Sequence, residues 1–132
     1  MFHAERVDHV GFTARDIDAL AAWYERAFGM QRRHADDWAD VAGGHPLLLC
    51  NGDACVALFM ARDDASPRPV DPRDPNEHFA LVLDRSNYEQ AKRDLEALSI
   101  RFEEWDHGIC DSIYVVDPEG HQVELTCYHA GV

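Results

Sequence analysis

Three residues of this sequence combine donor chemistry with strand-like surroundings: His9 in RVDHVGFTA, His78 in EHFALVLD and Glu124 in HQVELTCY. Glutamate is a poor strand former and an expensive group to bury unpaired, so a Glu124 flanked by Val123 and Leu125 asks for a counter-charge or a metal. Two neutral imidazoles and one carboxylate arriving from three strands make a facial donor set. That set suits Fe(II) oxygenases and is also usable by Mn, Zn, Co or Ni, with the remaining positions open to water or substrate. A lone strand histidine is more often a hydrogen-bonded structural residue, so the weight rests on pattern. On each strand the face that carries the donor is otherwise small or polar: His9 with Gly11 and Thr13, His78 with Ala80 and Val82, Glu124 with Gln122 and Thr126. The opposite faces carry Val10 and Phe12, Phe79 and Leu81, Val123 and Leu125, which suit packing beneath helices.

The elements that must position these donors follow from periodicity. Residues 6–14 alternate as a strand, and Asp16 then caps a helix to about Phe28, with Ile17, Leu20, Tyr24, Ala27 and Phe28 on one stripe and Gly29 as its stop. Strands are expected at 31–41, 47–51 and 54–61, the last two joined by the turn signal Asn51-Gly52-Asp53. The stretch 63–76 carries four prolines and no periodicity and reads as a linker. A strand at 77–84 reopens the pattern. Ser86 with Glu89 forms a capping box for a helix striped by Tyr88, Ala91, Leu95 and Leu98. A short strand at 101–105 precedes a hairpin of 112–116 and 121–128 around Asp117-Pro118-Glu119-Gly120.

The order strand, helix, three strands therefore occurs twice, in module one (about 5–62) and module two (about 77–129). The expected class is α+β, two βαβββ modules within a single domain, 1–132. Each module is too small to bury a dependable core alone, so the two are expected to pair sheet to sheet. His9 and His78 open the two modules at matching points, which raises the case for a shared metal, since an ion on a pseudo-twofold axis needs equivalent donors from both halves.

Composition narrows the partners. With 12 Lys and Arg against 25 Asp and Glu, the formal charge of −13 repels nucleic-acid phosphates and anionic lipid surfaces, so neither partner is expected. No apolar run approaches the ~20 residues of a bilayer span, and the start Met1-Phe2-His3-Ala4-Glu5-Arg6 carries no targeting pattern, so a cytoplasmic location is expected. Cys50, Cys55, Cys110 and Cys127 show no Cys-x-x-Cys spacing, so reduced thiols are expected rather than a disulfide scaffold or zinc knuckle. Eight histidines are many for this length and point to metal or acid–base chemistry.

At these residues the chain resembles the vicinal oxygen chelate superfamily, which takes in glyoxalase I, bleomycin and fosfomycin resistance proteins, and extradiol ring-cleaving dioxygenases. The likeness runs through VDHVGF, YERAFGM, EHFALVLD and DPEGHQVEL. It implies paired βαβββ modules forming a curved mixed sheet around a metal cleft, with His9, His78 and Glu124 as ligands of a divalent ion. Fe(II) is favoured; Mn, Zn, Ni and Co remain open. It further implies a small-molecule substrate and a homodimer, because small members build their sites between modules of paired chains.

The extradiol signature, a His, an aliphatic-Tyr pair, Asp-Pro, Gly and Glu, is matched in order and spacing by His107, Ile113-Tyr114, Asp117-Pro118, Gly120 and Glu124, while Trp105 departs from the small or aliphatic residue preferred there. By resemblance, His107 and Tyr114 are the candidate catalytic groups facing bound substrate. Two departures stand against a full match. The dioxygenases carry a further acid–base His on the last strand of the first module, where this sequence has Cys55 or Ala54, and glyoxalase I carries a second carboxylate there, where this sequence has Val56, Ala57 and Leu58. The fosfomycin transferases share the two-His, one-Glu set but carry a Thr where Gly11 stands. The expected function is thus a metal-dependent, extradiol-dioxygenase-like enzyme on a catechol or other vicinal-oxygen molecule. The alternatives are a glyoxalase-like lyase, isomerase or thiol transferase with a non-redox metal, or a metal-free drug- or metabolite-binding protein.

The other histidines read as solvated: His3 at the terminus, His34 in a charged strand, His121 in a hairpin turn, His129 in the tail. His45, before Pro46, is an outside candidate for the missing acid–base group. Trp23, Trp38 and Trp105 read as core or dimer contacts.

Overall fold

A computed structural model of the chain describes residues 1–34, 46–62 and 78–132. The linker expected at 63–76, the outer part of the strand expected at 31–41, Trp38 and His45 lie outside the described residues. The chain divides into two compact units, Met1–Ala65 and Ser66–Val132.

In the first unit the elements are β1 (Val10–Ala14), α1 (Ile17–Phe28), β2 (Gln31–Arg33), β3 (Leu47–Asn51) and β4 (Ala54–Met60). They form one open four-stranded sheet in the order β1-β4-β3-β2, with β1 parallel to β4 and the other pairs antiparallel. Helix α1 starts where expected because the Asp16 carboxylate accepts the Ala19 amide at 2.9 Å, satisfying one of the donors orphaned at a helix start. It stops at Gly29, whose φ of 60° is a left-handed conformation that glycine takes at no steric cost. Its apolar stripe, Ile17, Leu20, Ala21, Trp23, Tyr24 and Ala27, is buried, as are Leu49, Val56 and Leu58 on the sheet, so one sheet face packs beneath the helix. The ladder puts Gly11 and Ala57 opposite one another on the other face. There Gly11 lies so close to the Phe59 ring that a Cβ would meet it at 3.3 Å.

The second unit repeats the plan with β5 (His78–Val82), α2 (Arg85–Ala97), β6 (Phe102–Asp106), β7 (Cys110–Val116) and β8 (Gln122–Tyr128). The strand order β5-β8-β7-β6, with β5 parallel to β8 and the rest antiparallel, is that of the first unit. Buried Tyr88 and Leu95 on α2 meet a sheet face of Phe79, Ile113, Val115, Val123 and Leu125. Edge strand β6 is tied to α2 through Glu104, which accepts from the Tyr88 hydroxyl at 3.1 Å and from Lys92 at 3.0 Å. Burial, with Glu104 beside it, pushes the Tyr88 phenol far above its usual pKa. The α+β class and the twofold strand, helix, three-strand order both stand. No helix of the described residues is long and apolar enough to cross a membrane.

Several expectations need correction. Helix α2 is capped by Asp84, not Ser86: Asp84 accepts the Asn87 amide at 2.8 Å through Oδ1 and the Asn87 side chain at 2.9 Å through Oδ2. A carboxylate is a stronger acceptor than a hydroxyl, and it engages Asn87 twice. Strand β1 begins at Val10, so His9 stands just before the strand rather than within it. Of the strand expected at 31–41, the described part ends at Arg33, and His34 follows with φ 57°. Cys50 and Cys55, expected as reduced thiols, form a disulfide with Cα atoms 4.2 Å apart. The hairpin explains it, because the Gly52-Asp53 turn puts Cys50 directly opposite Cys55 in the ladder. Cys110 and Cys127 are free and buried, as their apolar surroundings led one to expect.

Candidate metal centre

The second unit brings two of the three expected ligands together. His78 opens β5 and Glu124 lies mid-way along β8. The parallel register pairs Ala80 with Glu124 and His78 with Gln122, so both donors share one sheet face. His78 Nε2 lies 2.8 Å from Glu124 Oε2, with the glutamate side chain 11% exposed and the imidazole 26%. As it stands this is a hydrogen bond between ring and carboxylate. The spacing is also close to the ~3 Å that neighbouring ligands of an octahedral ion span when each lies about 2.1 Å from it. As a ligand His78 would offer Nε2 and Glu124 would offer Oε2, with the ring's hydrogen on Nδ1. A buried carboxylate against a ring nitrogen is a donor pair that fits a divalent cation, so the residues present agree with a metal role.

The same face carries more polar chemistry than the donors alone. Directly across the β7–β8 ladder from Glu124 is Tyr114, and across from Thr126 is Ser112. The Ser112 hydroxyl, fully buried, lies 2.6 Å from Glu124 Oε1 and 3.2 Å from Thr126 Oγ1. The Tyr114 hydroxyl is 3.0 Å from His107 Nε2, and its ring meets the His78 ring edge-on at 6.1 Å. Burial first, and then the negative field of Glu124, raises the Tyr114 pKa, so the phenol stays protonated. Tyr114 thus stands between the His78–Glu124 pair and His107, with one hydroxyl available to donate or accept. His107 occupies the tight β6–β7 connection, where its amide donates to the Cys110 carbonyl at 2.9 Å and Gly108 adopts φ 84°.

The β7–β8 turn that sets this register is held by a single carboxylate. Asp117 accepts the amides of Glu119 and His121, each at 2.9 Å, and its other oxygen lies 2.7 Å from His121 Nδ1. His121, expected to be solvated, is therefore a turn-fixing residue. His129 likewise belongs to an ion-pair cluster, 3.2 Å from Asp111, which also takes Arg85 at 2.7 Å. Asp106 lies close enough for Asp106, Asp111 and His129 to form a group of ligand-type atoms, but Arg85 already occupies Asp111 and the Gly108 amide donates to Asp106 at 2.7 Å. Trp105, expected in the core or a dimer contact, is 57% exposed in the chain.

The third expected ligand, His9, belongs to the first unit. Its Nδ1 lies 2.8 Å from Asp8 Oδ2, an arrangement that orients an imidazole and leaves Nε2 as the donor atom. The hydrogen bond to His9 lowers the Asp8 pKa. Sequence reasoning passed over Asp8 and Ser112. The signal for Ser112 was present, since period-two alternation back from Tyr114 puts it on the donor face.

A family model described as the glyoxalase/bleomycin resistance protein/dioxygenase superfamily matches residues 6–125. The chain belongs to that superfamily. Among curated proteins none matches. Among solved structures, a lactoylglutathione lyase from Agrobacterium tumefaciens is similar at 26% identity, covering 94% of each chain with a TM-score of 0.65. A glyoxalase/dioxygenase from Nostoc punctiforme is similar at 20% identity over 95% of this chain and 92% of its own, TM-score 0.72. A point mutant of the genomically encoded fosfomycin resistance protein FosX from Listeria monocytogenes, complexed with Mn(II) and 1S,2S-dihydroxypropylphosphonic acid, matches at 14% identity over 97% of this chain and 95% of its own, TM-score 0.75. At these identities the last two speak for the fold.

Proposed function

We propose that the protein is a metal-dependent enzyme of the superfamily, acting on a small molecule that presents two neighbouring oxygens, with extradiol-dioxygenase-like chemistry as the leading reading. His9, His78 and Glu124 are the residues that would hold the ion. A divalent ion there supplies Lewis acidity toward the substrate oxygens and, when it is iron, redox access to O2. The observation that carries this reading is the convergence beside the buried Glu124 of His78, 2.8 Å away, and the Tyr114–His107 pair, 3.0 Å apart, on a sheet face open to solvent at His78. Tyr114, protonated at neutral pH, donates its one proton in a hydrogen bond to a substrate oxygen as negative charge builds there, while His107 Nε2, 3.0 Å away, donates to the phenolic oxygen and orients it. Ser112 donates to the far oxygen of Glu124 at 2.6 Å. The likeness to FosX with Mn(II) and a vicinal diol supports a two-oxygen substrate.

A second reading, lyase or isomerase chemistry with a non-redox metal, is favoured by one specific observation. At the first-module position where the dioxygenases carry an acid–base histidine, Cys55 is tied to Cys50. Aerobic incubation of the Fe(II)-loaded protein with a panel of substituted catechols separates the two. Oxygen uptake with a yellow ring-fission product supports the dioxygenase reading, whereas turnover of a vicinal-oxygen substrate under nitrogen with Mn, Ni or Zn supports the second. Absence of any ring-fission product across the panel sinks the first.

A further inference from the structure

We propose that Ser112, backed by Thr126, is a positioning residue that holds Glu124 as a one-oxygen donor; this rests on the reading of Glu124 as a metal ligand. A serine hydroxyl has a single proton. At 2.6 Å from Glu124 Oε1 that proton is spent on the carboxylate, at the short distance typical of a hydrogen bond to an ionised acceptor. Thr126 Oγ1 lies beside the same hydroxyl at 3.2 Å, the longer of its two contacts. The Ser112 bond therefore engages one carboxylate oxygen, with Thr126 packed against the serine, and leaves Oε2 on the His78 side.

Register makes the clamp possible. Ser112 is paired directly with Thr126 and lies diagonal to Glu124, whose direct partner is Tyr114. Ser112 is fully buried, so water is not at hand to replace its hydroxyl. To bring both oxygens onto an ion the carboxylate would have to rotate and break the Ser112 bond. Held in place, it gives one donor atom. Three protein donors of one atom each would leave three positions on a six-coordinate ion, enough for a ligand chelating through two neighbouring oxygens and for one further small molecule. A carboxylate free to bind through both oxygens would remove one of those positions.

The experiment is anaerobic Co(II) titration of the full chain, reading affinity by chelator competition and the ligand set by the position and intensity of the visible ligand-field band. Ser112→Ala should weaken Co(II) binding by roughly tenfold or more and alter the band, as the released second oxygen takes a position that water holds in the wild type. Thr126→Val keeps the side-chain shape and should weaken binding by about threefold with the band unchanged, because Ser112 still donates. Ser112→Thr, which keeps the hydroxyl, should restore the wild-type band. A purely structural serine would move the melting temperature and leave the Co(II) spectrum alone. Wild-type affinity and band intensity in Ser112→Ala overturn the clamp, as does wild-type affinity in Thr126→Val should the alanine variant fail to fold. If the wild-type chain binds no Co(II), Mn(II) or Fe(II), the metal reading itself falls and the clamp falls with it.

Discussion

Reducing the Cys50–Cys55 disulfide, or replacing both cysteines by serine, tests how far the β3–β4 hairpin is held by its turn alone. The cross-link joins residues five apart in sequence, a short loop. The chain-entropy relation for so small a loop gives about 2 kcal/mol of stabilisation, because little freedom remains to be removed from the denatured chain. Two features reduce the effect. Gly52, at φ 58°, already bends the chain between the strands, and Asn51 lies opposite Ala54 immediately inside the turn, so the denatured hairpin is partly closed without the bond. The expected loss is therefore between about 1 and 2 kcal/mol, or a fall in melting temperature of roughly 4–10 °C for a chain of this size. The assay is differential scanning calorimetry on oxidised and reduced protein, with mass spectrometry confirming the thiol state of each sample and Cys110→Ala/Cys127→Ala as background to exclude other thiol effects. A change below about 1 °C would show that the turn closes the hairpin unaided; a fall beyond about 15 °C would show that the bond supports packing under α1, refuting a purely entropic account.

Other expectations follow from the same structure. His9→Ala should lower metal affinity about as much as His78→Ala, roughly a hundredfold or more each, if all three donors act together; isothermal titration with Mn(II) reads this, and an unchanged affinity in His9→Ala would reduce the centre to the second unit's pair. Asp84→Ala should cost about 1 kcal/mol in chemical denaturation by uncapping α2, while Ser86→Ala should cost only a few tenths, the reverse of what the capping-box pattern suggests. The Asp111 pKa is lowered by its hydrogen bonds to Arg85 and His129, so its contribution to stability is complete above the ordinary carboxylate pKa of 3.8 and is lost as pH falls through the lower folded value. Asp111→Asn should accordingly flatten the acid limb of a melting-temperature profile taken from pH 6 down to pH 2, and an unaltered limb would show the pair to be fully screened.

Element type was legible wherever a long periodic pattern and its punctuation agreed. Helix α1 was readable because Asp16 and Gly29 bracket a single apolar stripe, and the β3–β4 hairpin because Asn51-Gly52-Asp53 admits a tight turn. The cap of α2 was misread because Ser86 and Glu89 fit a familiar pattern; what decides between neighbouring acceptors is backbone geometry, and Asp84 is the residue with extended φ and ψ. The disulfide escaped for a related reason. Composition argued for thiols, while register, which spacing around the turn fixes only once the turn residues are known, put the two sulfurs face to face. Ligand candidates were readable from the face they share, but the Ser112 bond to Glu124 depends on a diagonal reach across two strands that no single-strand pattern expresses.

The repeated strand order allows one more step. His78 opens β5 one residue before the Phe79–Val123 pair, and His9 precedes the Val10–Val56 pair by the same interval, so the two units can be laid over one another by ladder position. On that correspondence Ala80 matches Gly11, and Glu124, the partner of Ala80, matches Ala57, the partner of Gly11. Ala57 is almost wholly buried and ends at a methyl group, so at this ladder position the first unit offers no carboxylate where the second offers Glu124. Gln122, opposite His78, corresponds to Cys55, and Cys55 is bonded to Cys50. Cys55, Ala57 and Phe59, the three β4 residues on that side, are therefore without a free metal-binding or proton-transferring group. The ladder position that carries Glu124 in the second unit thus carries no carboxylate in the first, and on the second unit's side the titratable groups beside Glu124 are His78 and the Tyr114–His107 pair, whose hydroxyl and ring nitrogen lie 3.0 Å apart.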